Sequence, residues 1–442
     1  MNDLLFARWQ MGTSLAFHIV FAAVGIAMPA LMVAAEYKWL RTRDDVYLQL
    51  TRRWAKGTAI FFAVGAVSGT VLSFELGLLW PEFMRHAGPI IGLPFSMEGF
   101  AFFAEAIFLG VYLYGWNRVS PWAHWCAGVI VAISGALSGL FVVAANSWMN
   151  TPSGFVFKDG QFGEIDPIAA MLNPGWLTES IHMLLAAYLS TAAAVAGIHA
   201  FMLLRTPTSA FHKAALKIAL VLLGTSAVLQ PISGDFQSRH VARLQPVKLA
   251  AMEGQYNTER GAPIRIGGWP DDAAETTPYA IEIPYGLSLL AYHDPHAEVK
   301  GLKEVPKADR PPVLYVHLSF QVMVGCGMYL LILSLIGVWL WRRKTDFANQ
   351  RLFLKALVFG APLGFVALET GWMVTELGRQ PWIVMNIMRT SAAVTPMPNL
   401  VVPFAIFLGV YVMLAWVVIA LLWRQVADTL KPVLPREPAP SA

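Results

Sequence analysis

Nine stretches of the chain stay apolar for about 20 residues, the length a helix needs to cross a bilayer. They cover about 11–36, 56–81, 94–115, 122–146, 177–204, 214–233, 312–341, 353–375 and 399–424. The connections alternate in charge. Residues 37–56 carry Lys38, Arg41, Arg43, Arg52, Arg53 and Lys56, and residues 205–217 carry Arg205, Lys213 and Lys217. Residues 342–355 carry Arg342, Arg343, Lys344, Arg351 and Lys355, and the tail carries Arg424, Lys431 and Arg436. The positive-inside rule puts these on the cytoplasmic side. An odd number of spans then puts the N-terminus outside, with 82–93, 147–176, 234–311 and 376–398. The expected architecture is an all-α polytopic membrane protein: nine transmembrane helices, N-terminus outside, C-terminus cytoplasmic. Helices one to six fill residues 1–233, an external segment covers 234–311, helices seven to nine fill 312–430, and 431–442 is a flexible Pro-rich tail. The segment 234–311 is long, mixed in charge and rich in Pro and Gly, and connections of that length are usually functional. Within it, Lys248 to Glu253 reads as an amphipathic helix.

Composition supports this reading. Of 442 residues, 56% are hydrophobic and 14% charged, against about 25% charged in soluble domains. The net charge of +4 does not point to nucleic acid, because the basic residues sit in short loops between apolar runs. The N-terminus reads as no cleavable signal, since only Arg8 precedes the apolar run and no small-residue cleavage site follows. Cys126 and Cys326 lie inside apolar stretches and read as small buried hydrophobes. No CxxCH is present, so any haem is not held through thioethers.

Ionisable groups at membrane depth are costly and mark function by default. Glu75, Glu98, Glu105 and Glu369 all fall within spans. Glu98 and Glu105, seven apart, share a helix face about 10 Å apart along the axis, which suits a proton relay or helix-to-helix hydrogen bonds. Glu369 could ligate a haem iron or pass protons to one. His18 and His182 are candidate haem ligands, although a membrane histidine can equally bond a neighbouring backbone carbonyl. Met323, in the seventh span, is either packing or a partner for His182, since both lie toward the outer ends of their helices. Asn146 could bond a water or a propionate, and Trp148 reads as an interface anchor. Arg379 and Arg8 could each grip a propionate. Outside the membrane, Asp235 opens the long segment, and Lys248 and Glu253 read, on the residues alone, as an exposed ion pair worth little. His86, His124, His212, His240, His293 and His296 read as loop or interface residues.

Several runs resemble subunit I of the cytochrome bd family of quinol oxidases. They are Arg8-Trp9-Gln10 leading to His18; Glu98-Gly99 with Phe102 to Glu105; Ala144 to Met149; Lys248 to Glu253; Met323 to Gly327; and Glu369 to Trp372 followed by Gly378-Arg379-Gln380-Pro381-Trp382. They keep the family's order across nearly the whole chain. The resemblance implies three haems and no copper. His182 and Met323 match the axial ligands of a low-spin haem b. His18 and Glu369 match ligands of a close high-spin pair, one haem b and one usually haem d, with the allocation left open. Arg8, Arg379, Asn146 and Trp382 fall in the runs that surround the haems. Glu98 and Glu105 match proton-path acids, with Glu369 beside them as a catalytic candidate. Lys248 and Glu253 match residues tied to quinol oxidation, and Asp235 joins them as a quinol-site candidate. The implied reaction reduces dioxygen to water with electrons from quinol, releasing quinol protons outside and drawing chemical protons from inside, without pumping. Implied partners are a second large membrane subunit and a small single-helix one, in a bacterial inner membrane.

Two departures matter. Gln321 stands where many members carry arginine near the methionine ligand, and the external segment is short. Both features resemble the cyanide-insensitive branch, in which b-type haem can replace haem d. Two other functions compete. A proton-coupled transporter could use Glu98, Glu105 and Glu369 without haem, but no inverted repeat is evident. A haem-bearing sensor or structural subunit is opposed by the retention of all four candidate ligands.

Overall fold

The computed structural model describes residues 3–158 and 161–427; the expected tail, 431–442, lies outside the described residues. In chain order the helices are α1 (Asp3–Thr42), α2 (Asp45–Leu79), α3 (Pro81–Tyr114), α4 (Pro121–Asn150), the short α5 (Pro167–Met171), α6 (Trp176–Arg205) and α7 (Ala210–Leu244). There follow α8 (Pro246–Glu253), α9 (Gly286–Tyr292), α10 (Val313–Arg342), α11 (Arg351–Gly360), α12 (Leu363–Leu377), α13 (Thr390–Ala393) and α14 (Val401–Ala427). Among the described residues nine spans are long and apolar enough to cross a membrane, with α11 and α12 together forming one of them.

The helices outrun the apolar stretches that reveal them. In a membrane every backbone polar group must be satisfied locally, so a helix ends at a cap or a proline rather than where hydropathy drops. Asp44 caps α2 by accepting from the Val46 N–H at 2.9 Å, while Pro81 and Pro121 start α3 and α4. Three expectations are corrected by this. Residues 82–93 are not a loop but the first turns of α3, which runs through Pro89 and Pro94. Residues 234–244 belong to α7, so Asp235 sits on a helix and does not open the external segment. The eighth span, read as one run over 353–375, is broken where Pro362 removes a backbone donor.

Helix α1 is the hub, packed on α2, α4, α6 and α14. Its Leu31 and Met32 join Leu50, Ala196, Leu216 and Leu354 in the largest apolar core. Small residues draw backbones close, as is usual between membrane helices. A Cβ added at Gly364 of α12 would lie 2.5 Å from the Ser190 Cα of α6.

The external segment is built around α8, which is not amphipathic as expected: Lys248 through Glu253 are all buried. Val241, Tyr256, Leu287, Val313 and Val374 close over it. Gly254 ends it at φ +61°, where a side chain would also collide with Thr277 Oγ1 at 2.6 Å. Antiparallel pairing of Ile264–Gly267 with Ala280–Ile283 forms a flap over α10. Gln321 fastens that flap, donating to the Arg265 carbonyl at 2.8 Å and accepting from the Gly267 N–H at 3.1 Å.

Candidate functional site

A cavity of about 1380 Å³ opens between α1 and α12. This exceeds the roughly 300–1,000 Å³ of ordinary small-molecule pockets. Helical periodicity builds both walls. Arg8, Gly12, Ala16 and Ile19 face it from α1; Glu369, Trp372, Met373 and Glu376 face it from α12, with Gln380 and Pro381 below. The Glu369 Oε1 atom is buried without a hydrogen-bond partner among the described residues. Buried polar atoms are almost always paired, so such an oxygen is suited to a ligand.

His18 turns away from this cavity toward α2. Its Nδ1 lies 2.9 Å from Ser68 Oγ, and Gly69 leaves room for the ring, since a Cβ there would stand 3.0 Å from His18 Cε1. The structure therefore places His18 and Glu369 on different faces of the α1 region. On α6, His182 is held similarly: its Nδ1 lies 2.9 Å from Ser233 Oγ, and Gln230 Nε2 lies 3.2 Å from its Nε2. Met323 of α10 faces α12, where a Cβ at Gly371 would lie 3.1 Å from its sulfur. Helices α6 and α10 both pack on α7 and α12, so His182 and Met323 belong to one four-helix group. Serine partners on both histidines fix the ring orientation, as outer partners of metal-bound imidazoles do.

Glu98 and Glu105 lie along the α3–α4 seam. Ser138 donates to Glu98 at 3.2 Å. Glu105 is buried, and Gly135 gives its carboxyl space at 3.4 Å.

A connected polar network occupies the expected outer end of the bundle. Lys248 Nζ donates to Asn150 Oδ1 at 2.6 Å, and Asn150 Nδ2 donates to the Asn146 carbonyl at 3.2 Å. Asn146 Nδ2 donates to Glu376 Oε1 at 2.5 Å, and Arg379 Nη2 to Glu376 Oε2 at 2.6 Å. Glu376 also lines the α1–α12 cavity, so the network joins α8 to it. Arg379 is buried, with Nε and Nη1 unpartnered among the described residues. Burial pulls the Lys248 ammonium below its ordinary range, and the nearby Glu179 carboxylate partly opposes this. Burial pushes the Glu253 carboxyl up to about 7, against a backbone hydrogen bond and the positive charge of Arg265. Asp235 instead pairs with Arg239 at 2.8 Å and approaches His293 at 3.4 Å. Trp382 sits under the Arg389 guanidinium, 4.8 Å from its ring centroid.

Several residue-level expectations are corrected here. Lys248 and Glu253 are no exposed ion pair: both are buried, and each turns to different partners because α8 is enclosed on every side. Asn146 pairs with Glu376. Trp148 anchors no interface; it is buried and donates to the Ser153 carbonyl at 2.9 Å. His124 and His212 are buried on helices, and His240 lies on α7. Cys126 is exposed on the outside of α4 rather than buried. Glu376, Asn150 and Glu179 were not singled out by sequence reasoning. Two carried a periodic signal: Glu376 follows Glu369 by seven residues, and Asn150 follows Asn146 by four. Arg265 carried none, because only the folded flap brings it to Glu253.

Among the described residues, nine spans long and apolar enough to cross a membrane, with a large cleft between two of them that carries an unpartnered buried carboxylate, describe a multi-pass membrane protein with room for a sizeable group between helices. The family can be stated as well. Residues 6–430 match the model for cytochrome bd terminal oxidase subunit I, and the chain belongs to that family. It is 33% identical over 408 residues to the cytochrome bd ubiquinol oxidase subunit 1 of Bacillus subtilis (strain 168), covering 90% of this chain and 87% of that one. It is 30% identical over 458 residues to the cytochrome bd-II ubiquinol oxidase subunit 1 of Escherichia coli (strain K12), with 88% of each covered. The fold matches the solved bd oxidase from Geobacillus thermodenitrificans with a TM-score of 0.92 at 36% identity, over 97% of this chain and 99% of that one.

Proposed function

We propose that this chain is the haem-bearing, quinol-oxidising subunit of its terminal oxidase, taking electrons from quinol at the outer face and reducing dioxygen with cytoplasmic protons, without copper and without pumping. The observation that carries this reading is the set of buried, unpartnered polar atoms at the α1–α12 cleft and its edge: Glu369 Oε1 and Arg379 Nε and Nη1. An acceptor for a metal and donors for a carboxylate are what a haem with its propionates requires.

In this reading His182 and Met323 hold a low-spin haem b, and His18 and Glu369 hold the high-spin pair, haem b with haem d or with a further haem b. When bound, these groups supply one-electron transfer and the site of oxygen reduction. Arg8 and Arg379 would meet propionates, with Asn146 fixing Glu376 beside them and Trp382 closing that edge. Lys248 and Glu253 receive the quinol, and Asp235 holds α7 against the external segment. A carboxyl poised near 7 is suited to take a quinol proton at neutral pH. Glu98 and Glu105 carry protons from the inner side. Gln321 in place of arginine and the compact external segment favour the cyanide-insensitive branch. The basic loops between α1 and α2, α6 and α7, and α10 and α11 favour a cytoplasmic placement, hence an N-terminus outside, in a bacterial inner membrane. A second large subunit, and a small single-helix one, would complete the complex. Exposed apolar side chains such as Phe100 and Phe103 of α3 and Trp416 of α14 suit lipid or such neighbours.

The test is a reduced-minus-oxidised spectrum with pyridine-haem extraction on the purified complex, followed by quinol-dependent oxygen uptake. A far-red band beside b-haem bands supports haem d; b-type haem alone supports the d-less arrangement. Absence of haem would overturn the reading and bring the proton-coupled transporter forward.

A further inference from the structure

We propose that Tyr112, His124 and Glu36 extend the line of Glu98 and Glu105 to the inner end of the bundle and act as its proton-entry relay. This rests on the proton role proposed for the two glutamates. The residues stand in register. Glu98, Glu105 and Tyr112 recur every seven residues on α3, so they share one face at steps of about 10 Å. The antiparallel α4 matches them in reverse order. Ser138 bonds Glu98 at 3.2 Å, and Gly135 faces the Glu105 carboxyl. Gly128 lies against the Tyr112 ring, where a Cβ would stand 2.6 Å from Cε2. His124 follows, its ring centroid 4.4 Å from that of Tyr112. The Tyr112 hydroxyl reaches Glu36 of α1, beside His124.

The histidine and the acid hold a proton by geometry. His124 Nε2 lies 2.8 Å from the Tyr112 carbonyl oxygen. That oxygen only accepts, so Nε2 carries a proton. His124 Nδ1 lies 2.7 Å from Glu36 Oε1. Two lone pairs at that distance would repel, so a further proton lies between them and the pair is neutral overall. The remaining oxygens, Glu36 Oε2 and Tyr112 Oη, are both buried, and the hydroxyl lies within hydrogen-bonding reach of the Glu36 carboxyl. A proton delivered to Glu36 Oε2 passes to Tyr112 Oη as the tyrosine's own proton leaves for Glu105 through water along the two intervening turns of α3. Each group ends with the proton count it began with. Tyr37 and Trp122, one and two positions from Glu36 and His124 in the chain, are exposed by 42% and 49% and meet edge to face at 6.5 Å. The Trp116 ring covers His124 at 4.0 Å, with Arg52 5.0 Å from the Trp116 centroid.

The experiment uses the intact purified complex carrying Tyr112→Phe, Glu36→Gln or, as reference, Glu105→Gln. Haem content, anaerobic haem reduction by quinol, and oxygen uptake in H₂O and D₂O are measured. Tyr112→Phe keeps the ring against Gly128 and removes only the hydroxyl. The expected result is a fall in oxygen uptake of roughly tenfold or more with a larger solvent isotope effect, while haem content and anaerobic reduction stay unchanged. A merely structural pin between α1 and α4 would not raise the isotope effect. If Glu105→Gln slows uptake while Tyr112→Phe and Glu36→Gln match wild type, the relay proposal is wrong and the glutamate line enters elsewhere. If Glu105→Gln also matches wild type, the underlying proton role fails and takes the relay with it. Should Glu36→Gln lose haem, Tyr112→Phe decides alone.

Discussion

Replacing Arg265 with Gln should shift the pH dependence of quinol oxidation through Glu253, a residue it does not replace. Glu253 is 2% exposed, and burial raises its carboxyl from 4.5 to about 7. Arg265 is the restraining influence, through a main-chain hydrogen bond and through charge. The shift has a thermodynamic sign. A carboxyl whose folded value lies above its unfolded one is neutral in the fold, so its contribution is fully retained below pH 4.5. It is lost as pH rises through 7, reaching a cost of about 3 kcal/mol, at roughly 1.4 kcal/mol per unit. If Glu253 takes the quinol proton, kcat/KM for quinol rises with pH along a limb centred near 7. A facing opposite charge typically moves a carboxyl by about 1–3 units. Loss of the guanidinium should therefore move the limb up by about one unit, the low end of that range. At pH 6.5 the ionised fraction then falls from about one in four to about one in thirty, an eightfold loss in rate. At pH 9 the two proteins should nearly coincide. The assay is initial-rate oxygen uptake at subsaturating quinol from pH 5.5 to 9, with haem content as the control for folding. Glu253→Gln should abolish the limb and lower kcat/KM by about 10²-fold or more. A limb that stays near 7 in the Arg265→Gln protein, or survives in Glu253→Gln, would refute the assignment of Glu253 as base.

Further outcomes follow from packing. Met323→Leu conserves volume, so the fold should survive at a cost below about 1.5 kcal/mol, while the low-spin haem signal disappears; an intact signal would remove Met323 as ligand. Gly69→Ala puts a methyl 3.0 Å from His18 Cε1, which should swing the ring off Ser68 and reduce haem per chain, read by pyridine-haem extraction. Unchanged stoichiometry would show that His18 does not depend on that position. Gly364→Ala meets the Ser190 backbone at 2.5 Å, where nothing flexible can yield, and should lower stability by about 1–3 kcal/mol, seen as an earlier unfolding midpoint in detergent.

Residues with a period were legible from the chain alone. Nine apolar runs gave the helix count, and intervals of seven placed Glu98 on one face with Glu105. What escaped were polar positions joined only by tertiary approach. Lys248 and Asn150 are separated by 98 positions and Asn146 and Glu376 by 230, so no local pattern links them. Lys248 and Glu253 looked like a solvated pair because charge on a short segment normally means exposure. Here the chain encloses the segment instead, and the cost of burying the lysine is offset by a hydrogen bond and the charge of Glu179.

The misplaced boundary at residue 233 has the same origin and a functional meaning. Hydropathy reports where lipid begins and ends, whereas the helix ends where its backbone is next capped. Helix α7 therefore continues past the apolar run for about three turns, carrying Asp235, Arg239 and His240. The end of α4 reaches the same level, where its Asn150 accepts from Lys248 of α8. Helices α7 and α10 both pack on α8, and Val374 of α12 joins the same apolar cluster, which is why Lys248 and Glu253 become buried groups with shifted protonation rather than surface charges. Site residues carried on helices are held more tightly than residues on a free loop. The site around α8 is in this sense built by the parts of the spans that hydropathy does not see.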